Sequence, residues 1–206
     1  MNIKKSLATA IILLIVPGCA SFQAKTELNN GRMALRRGLP AAAIPHLEQA
    51  TAMDGELGFP PLGQSAWTYL GRANYEAKKY PPARQALERA IKLNRDDGLA
   101  KLYLGLALVR EGNAASGQQE LLGGLKNLHQ TLDFIVYNTA SGRYWDPGGK
   151  IRNELSAAQI EVAAANENLD RLLSRLENIG VSLDEEIDLA RRDESLDFRR
   201  SSGGDM

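Results

Sequence analysis

The sequence predicts an all-α protein, a solenoid of helical hairpins closed by a long C-terminal capping helix. Three observations carry that expectation. Apolar residues make up 44% of the chain but aromatics only 6%, and much of the apolar share is alanine and leucine, both strong helix formers. The same residue classes recur at a fixed spacing of about 34 residues, the mark of a repeat architecture. Finally, Ile151, Leu155, Ala158, Val162, Ala165, Leu169, Leu172, Leu176 and Ile179 alternate spacings of four and three without a break, which is a heptad seam on one long helix.

The repeats can be placed residue by residue. Counting from Gln64, Trp67, Leu70, Gly71, Ala83, Leu87 and Ala90 occupy positions 4, 7, 8, 20, 24 and 27. One period later stand Lys101, Leu104, Gly105, Gly117, Leu121 and Gly124, and one period earlier, across a six-residue insertion, Gly31, Ala43, Leu47 and Ala50. This pattern resembles the tetratricopeptide repeat. The resemblance implies about three hairpins of antiparallel helices A and B, over residues 24–57, 64–97 and 98–131, within a domain spanning 19–140. Small residues at positions 8, 20 and 27 then let A and B approach closely. Gly38 and Gly112 both fall at position 15, where the A-to-B turn needs φ > 0. Pro81 and Pro82 open the second helix B, where missing N–H groups cost nothing, whereas Pro45 lies inside the first helix B and is expected to distort it. Glycines at 117, 123 and 124 make the third helix B either a close neighbour of another helix or a soft one.

The N-terminus reads as an address. Lys4 and Lys5 precede an apolar run from Leu7 to Val16, which fits the basic and apolar regions of a secretory signal peptide and is too short to span a bilayer. Val16-Pro17-Gly18-Cys19 resembles the bacterial lipobox. That resemblance implies cleavage after Gly18 and acylation of Cys19, the single cysteine of the chain, so residues 1–18 are the signal and palmitate-type chains anchor the mature protein. Ala20 and Ser21 in place of an aspartate resemble the outer-membrane sorting default of Gram-negative bacteria, so the expected location is the periplasmic face of the outer membrane. Removing residues 1–18 takes two of the 25 basic and none of the 25 acidic residues, and a chain without net basic charge is not expected to bind nucleic acid.

Several segments fall outside the repeats. Gly58 to Gly63 is a Pro/Gly loop expected to rest Phe59 and Leu62 on neighbouring helices. A loop at 141–150 carries Tyr144 and Trp145, either a plug over the end of the solenoid or an exposed aromatic anchor for a partner. The C-terminal helical region, 151–190, consists of the heptad helix 151–179, a stop at Gly180, and a short acidic helix opened by a capping box at Ser182-Leu183-Asp184-Glu185. The seam is expected to pack on the solenoid rather than form a homodimer, because its flanking charges follow no consistent pairing code. Charge dominates residues 191–206, which read as a disordered tail.

The sequence holds no phosphate loop, nucleophile elbow or metal-ligand spacing around His46 or His129. It therefore predicts no enzyme, no cofactor and no metal. Function is expected on the repeat surface. By resemblance, helix A residues line a concave groove, among them Arg32, Arg36, Tyr69, Arg72, Tyr75, Tyr103 and Arg110. Arginine forks pair with carboxylates and tyrosines add contact area, so an extended acidic or C-terminal peptide is the expected ligand, unless the C-terminal helix folds into the groove itself. These features point to an envelope scaffold or assembly factor. A small-ligand receptor serving a transporter is the runner-up, and an enzyme or enzyme-activating subunit ranks third.

Overall fold

The structure, a computed structural model, describes residues 17–59, 62–164 and 169–202. The signal segment before Pro17, the Phe59 side chain, Ala165 and the last four residues lie outside the described residues. Three hairpins follow one another: α1 (Pro17–Arg36) with α2 (Pro40–Met53), α3 (Ala66–Glu76) with α4 (Tyr80–Leu93), and α5 (Gly98–Arg110) with α6 (Ala114–Asn138). A 3-10 turn, Gly142–Tyr144, leads to α7 (Lys150–Ala164) and α8 (Leu169–Ser202). The insertion after the first hairpin is closed by two short antiparallel strands, β1 (Gly58–Phe59) and β2 (Gln64–Ser65), with Gly58 opposite Ser65. Leu62 within it is buried.

The repeat register has a direct packing basis. Position 8 is glycine in every hairpin, and a Cβ added at Gly31, Gly71 or Gly105 would collide with the leucine at position 24 of the same hairpin, Leu47, Leu87 or Leu121. In the third hairpin the approach is closer still. A Cβ on Gly124 would lie 2.6 Å from the Leu102 nitrogen, and one on Gly105 2.7 Å from the Gly117 oxygen. The glycines of α6 at 117 and 124 therefore let its backbone touch that of α5, while a Cβ on Gly123 would meet only the Lys101 side chain, at 3.7 Å. The A-to-B turns share a left-handed residue at position 15, with φ of 70° at Gly38, 61° at Lys78 and 88° at Gly112. Helix α2 continues through Pro45, which costs it one ladder bond without ending it.

The C-terminal region departs from the expected single helix. Arg175 of α8 pairs with Glu161 of α7, and fourteen residues of continuous helix would hold these groups about 21 Å apart. The chain therefore doubles back after Ala164, and the two halves of the heptad seam bury their leucines together against α5 and α6. Gly180 does not stop α8. It lies inside the helix, where a Cβ would run into the Tyr103 ring, so its missing side chain serves close approach. Ser182 is likewise mid-helix, not a cap, and residues 191–202, expected as part of a disordered tail, continue α8. The physical reason is tertiary: Arg143 and the Tyr144 hydroxyl both bond Asp197, holding the charged end of the helix against the loop after α6.

Two apolar clusters form the core. Among the described residues the smaller joins the first hairpin to α3 and Ala86 of α4, and the larger runs from Leu62 and Tyr75 through α4 to α8. Trp145 is 3% exposed within the larger cluster, which removes it as an exposed partner anchor: its indole fills the space at the end of the third hairpin. Tyr144 is half-buried beside it.

Candidate functional site

The concave face of the hairpins is built by helix A residues, and α8 lies across it. Leu176, Ile179, Leu183, Ile187 and Ala190 form the buried side of α8, spaced four and three apart so that one stripe faces the groove. Beside that stripe stand Glu177, Asp184 and Asp188, and each meets residues expected to bind an acidic ligand. Arg72 Nη1 donates to Asp184 and, at 3.2 Å, to the Gly180 carbonyl. Arg32 Nη2 reaches the other Asp184 oxygen at 3.4 Å. Tyr69 donates its hydroxyl to Gln64, with Asp184 also 3.4 Å away. Toward the rims, Arg36 pairs with Asp188, the Tyr75 hydroxyl donates to Glu177 at 2.6 Å, and Arg110 approaches Glu177 at 3.5 Å.

This is a buried electrostatic joint. Arg72 is 1% exposed, as is Asp184, and Arg32 only 3%. The two guanidinium groups stand over the Tyr103 and Tyr69 rings, 5.5 and 5.4 Å from their centroids, close enough for a cation–π contribution. Burial opposes the Arg72 charge, but Tyr103, Asp184 and Glu76 outweigh it and hold the guanidinium above its ordinary range. Burial also pushes the Tyr69 and Tyr103 hydroxyls up, so they stay protonated and available as donors. Arg32, Arg72 and Tyr75, and at the rim Arg36 and Arg110, thus contact carboxylates of the chain's own α8; Tyr69 sits 3.4 Å from Asp184, and the Tyr103 hydroxyl lies 3.5 Å from Glu76 of α3.

Alongside α8 the groove stays open. A trough of about 490 Å³ runs between α8 and the A-to-B turns, lined among others by Arg36, Lys78, Tyr80, Arg110, Val181 and Glu185. This volume falls within the range of ligand sites, about 300–1,000 Å³.

A second buried polar joint, unremarked in the sequence reading, links successive hairpins. Asp97 caps α5 by accepting from the Ala100 nitrogen at 2.9 Å, and its other oxygen accepts from the Thr68 hydroxyl at 2.5 Å. Thr68 in turn caps α3 reciprocally with Ser65. Burial pushes the Asp97 carboxyl up to about 6, despite these donors. A carboxyl with a raised folded pKa binds more protons in the native state than in the unfolded one, so its contribution to stability falls as pH rises from about 4 to about 6. Asp97→Asn should remove that slope, and the stability of wild type relative to the variant should decline over this interval in urea titrations. A constant difference would contradict the assignment. Among the described residues His46 of α2 pairs with Glu27 of α1, and His129 with Asp133 one turn along α6.

A family model described as tetratricopeptide repeat matches residues 28–85 and 78–117. These matches fall within the three hairpins and support a tetratricopeptide-repeat family for the all-α helical solenoid, and repeats of this kind suggest a protein-interaction scaffold. No curated protein and no solved structure matches the chain.

Proposed function

We propose that this protein is a lipid-anchored scaffold or assembly factor of the cell envelope, tethered through Cys19 and engaging a protein partner along the trough beside α8. The supporting observation is the division of the repeat surface. The inner arginines and tyrosines hold an acidic helix of the same chain, while Lys78, Tyr80, Val181 and Glu185 line open space that reaches the edges of Arg72, Tyr75 and Asp184. The chemistry expected for an acidic ligand is thus met internally, and a partner segment would lie against α8 and the rim residues Arg36 and Arg110. The periplasmic face of the outer membrane is the location this reading favours, on the strength of the basic, apolar and Val-Pro-Gly-Cys sequence.

A photocrosslinking side chain in place of Tyr80, compared with one in place of the exposed Phe134, tests the reading in living cells. A protein adduct identified by mass spectrometry is expected from position 80 and not from position 134. Mass analysis of the mature chain is expected to find acylated Cys19 at its start, and Cys19→Ser should leave an uncleaved or soluble protein and weaken the adduct. Equal adducts at both positions would remove the trough, and an unmodified mature N-terminus elsewhere would remove the anchor.

A further inference from the structure

We infer that the outer face of α1, with the turn that follows it, is a lipid-contact surface that lays the first hairpin flat on an anionic bilayer. This inference rests on the proposed anchor at Cys19 and adds an orientation to it. Helix α1 begins at Pro17, so no spacer separates Cys19 from the folded solenoid. Phe22 follows three residues later, an axial rise of about 4.5 Å, and is 74% exposed. Eleven residues further on stands Met33, 37% exposed. Eleven residues are close to three whole turns of about 3.6 residues, so Phe22 and Met33 lie on one line along the helix, about 16 Å apart. Between them the Thr26 hydroxyl donates to the Phe22 carbonyl at 3.1 Å, which satisfies a polar group that would otherwise demand water. Past the end of α1, Leu39 is 53% exposed and borders a cleft of about 430 Å³ between α1 and α2, lined by Asn30, Met33, Arg37 and His46 among others.

Charge selects the occupant. The exposed cations on this face are Lys25 and Arg37, which carry no ion pair among the described residues, while Arg36 pairs with Asp188 and the helix's acid, Glu27, is taken by His46. Phe22 and Met33 stand in one line with exposed Thr26 and Asn29 between them and the cations Lys25 and Arg37 beside them. On such a face the two apolar side chains can enter the headgroup boundary while the amide and cations meet anionic headgroups. An acyl chain at the start of the helix supplies the proximity that so modest an apolar stripe lacks.

The test uses the full-length lipidated protein in vesicles of phosphatidylethanolamine and phosphatidylglycerol. Because the Cys19 thiol is consumed by acylation, Phe22→Cys, Leu39→Cys and Phe134→Cys each place one free thiol for a nitroxide label. Labels at positions 22 and 39 are expected to be about tenfold less accessible to a water-soluble relaxing agent than the label at 134, and more accessible to oxygen. Lys25→Glu combined with Arg37→Glu should return position 39 to water. If the protein floats with the vesicles while all three labels are equally exposed to water, the solenoid stands off the bilayer and the inference fails with the anchor intact. If the protein does not float, the anchor itself fails and the inference with it.

Discussion

Arg72→Ala is expected to destabilise the protein by about 3–5 kcal/mol, the cost of removing one partner from a buried ion pair. The substitution leaves the Asp184 carboxylate buried with Arg32 as its remaining guanidinium, 3.4 Å away. It also deletes the donors to the Gly180 carbonyl and Glu76 and the cation over the Tyr103 ring. Urea unfolding measures the loss. Because the groove residue holds an internal helix, the folded fraction of the variant should still form the adduct at position 80. Adding Asp184→Ala should recover part of the lost stability, since removing both charges also removes the unpaired buried carboxylate. Unfolding within about 0.5 kcal/mol of wild type, the scatter of ordinary surface substitutions, would mean that α8 does not occupy the groove in solution.

The hairpins were legible because their signal is local and repeated. A glycine facing a leucine sixteen positions later is forced by the contact of A with B, and it recurs three times at Gly31, Gly71 and Gly105. The groove residues were legible as a set for the same reason, since register alone places Arg32, Tyr69, Arg72 and Tyr103 on one face. Their occupant was not. The acidic residues at 177, 184 and 188 follow the spacing of a helix face that flanks Ile179, Leu183 and Ile187, but a capping box and a glycine stop explain the same residues locally. Only the approach of Tyr103 decides between the readings. The turn back after Ala164 was hidden by an unbroken heptad seam, which specifies that two helical stretches bury leucines but does not say whether they continue each other or pair. Asp97 was missed because an acid before a glycine reads as an ordinary turn residue, and its burial depends on Thr68 of the preceding hairpin.

Gly180→Leu is expected to detach the middle of α8 and cost about 3 kcal/mol, the upper end of the range for overpacking. Tyr103, the residue in the way, is 1% exposed and cannot swing aside, because its ring meets Tyr75 edge-on and carries Arg72 on its face. Helix propensity alone predicts the opposite sign, since replacing a mid-helix glycine by a better helix former gains up to about 1 kcal/mol. The outcome therefore separates close approach from a glycine tolerated by accident. Hydrogen exchange should show protection lost first in α8 near position 180, with the first hairpin, in its separate core cluster, least affected. Gly180→Ala offers a finer control. The nearest atom to its added Cβ is the Tyr103 hydroxyl oxygen, with two ring carbons next at 2.9 Å. Tyr103→Phe should therefore rescue Gly180→Ala in part while doing little for Gly180→Leu, whose branched side chain meets the ring itself. If Gly180→Leu raised the unfolding midpoint instead, α8 could not be seated on Tyr103, and the buried pairing of Arg72 with Asp184 one turn further along would fall with it.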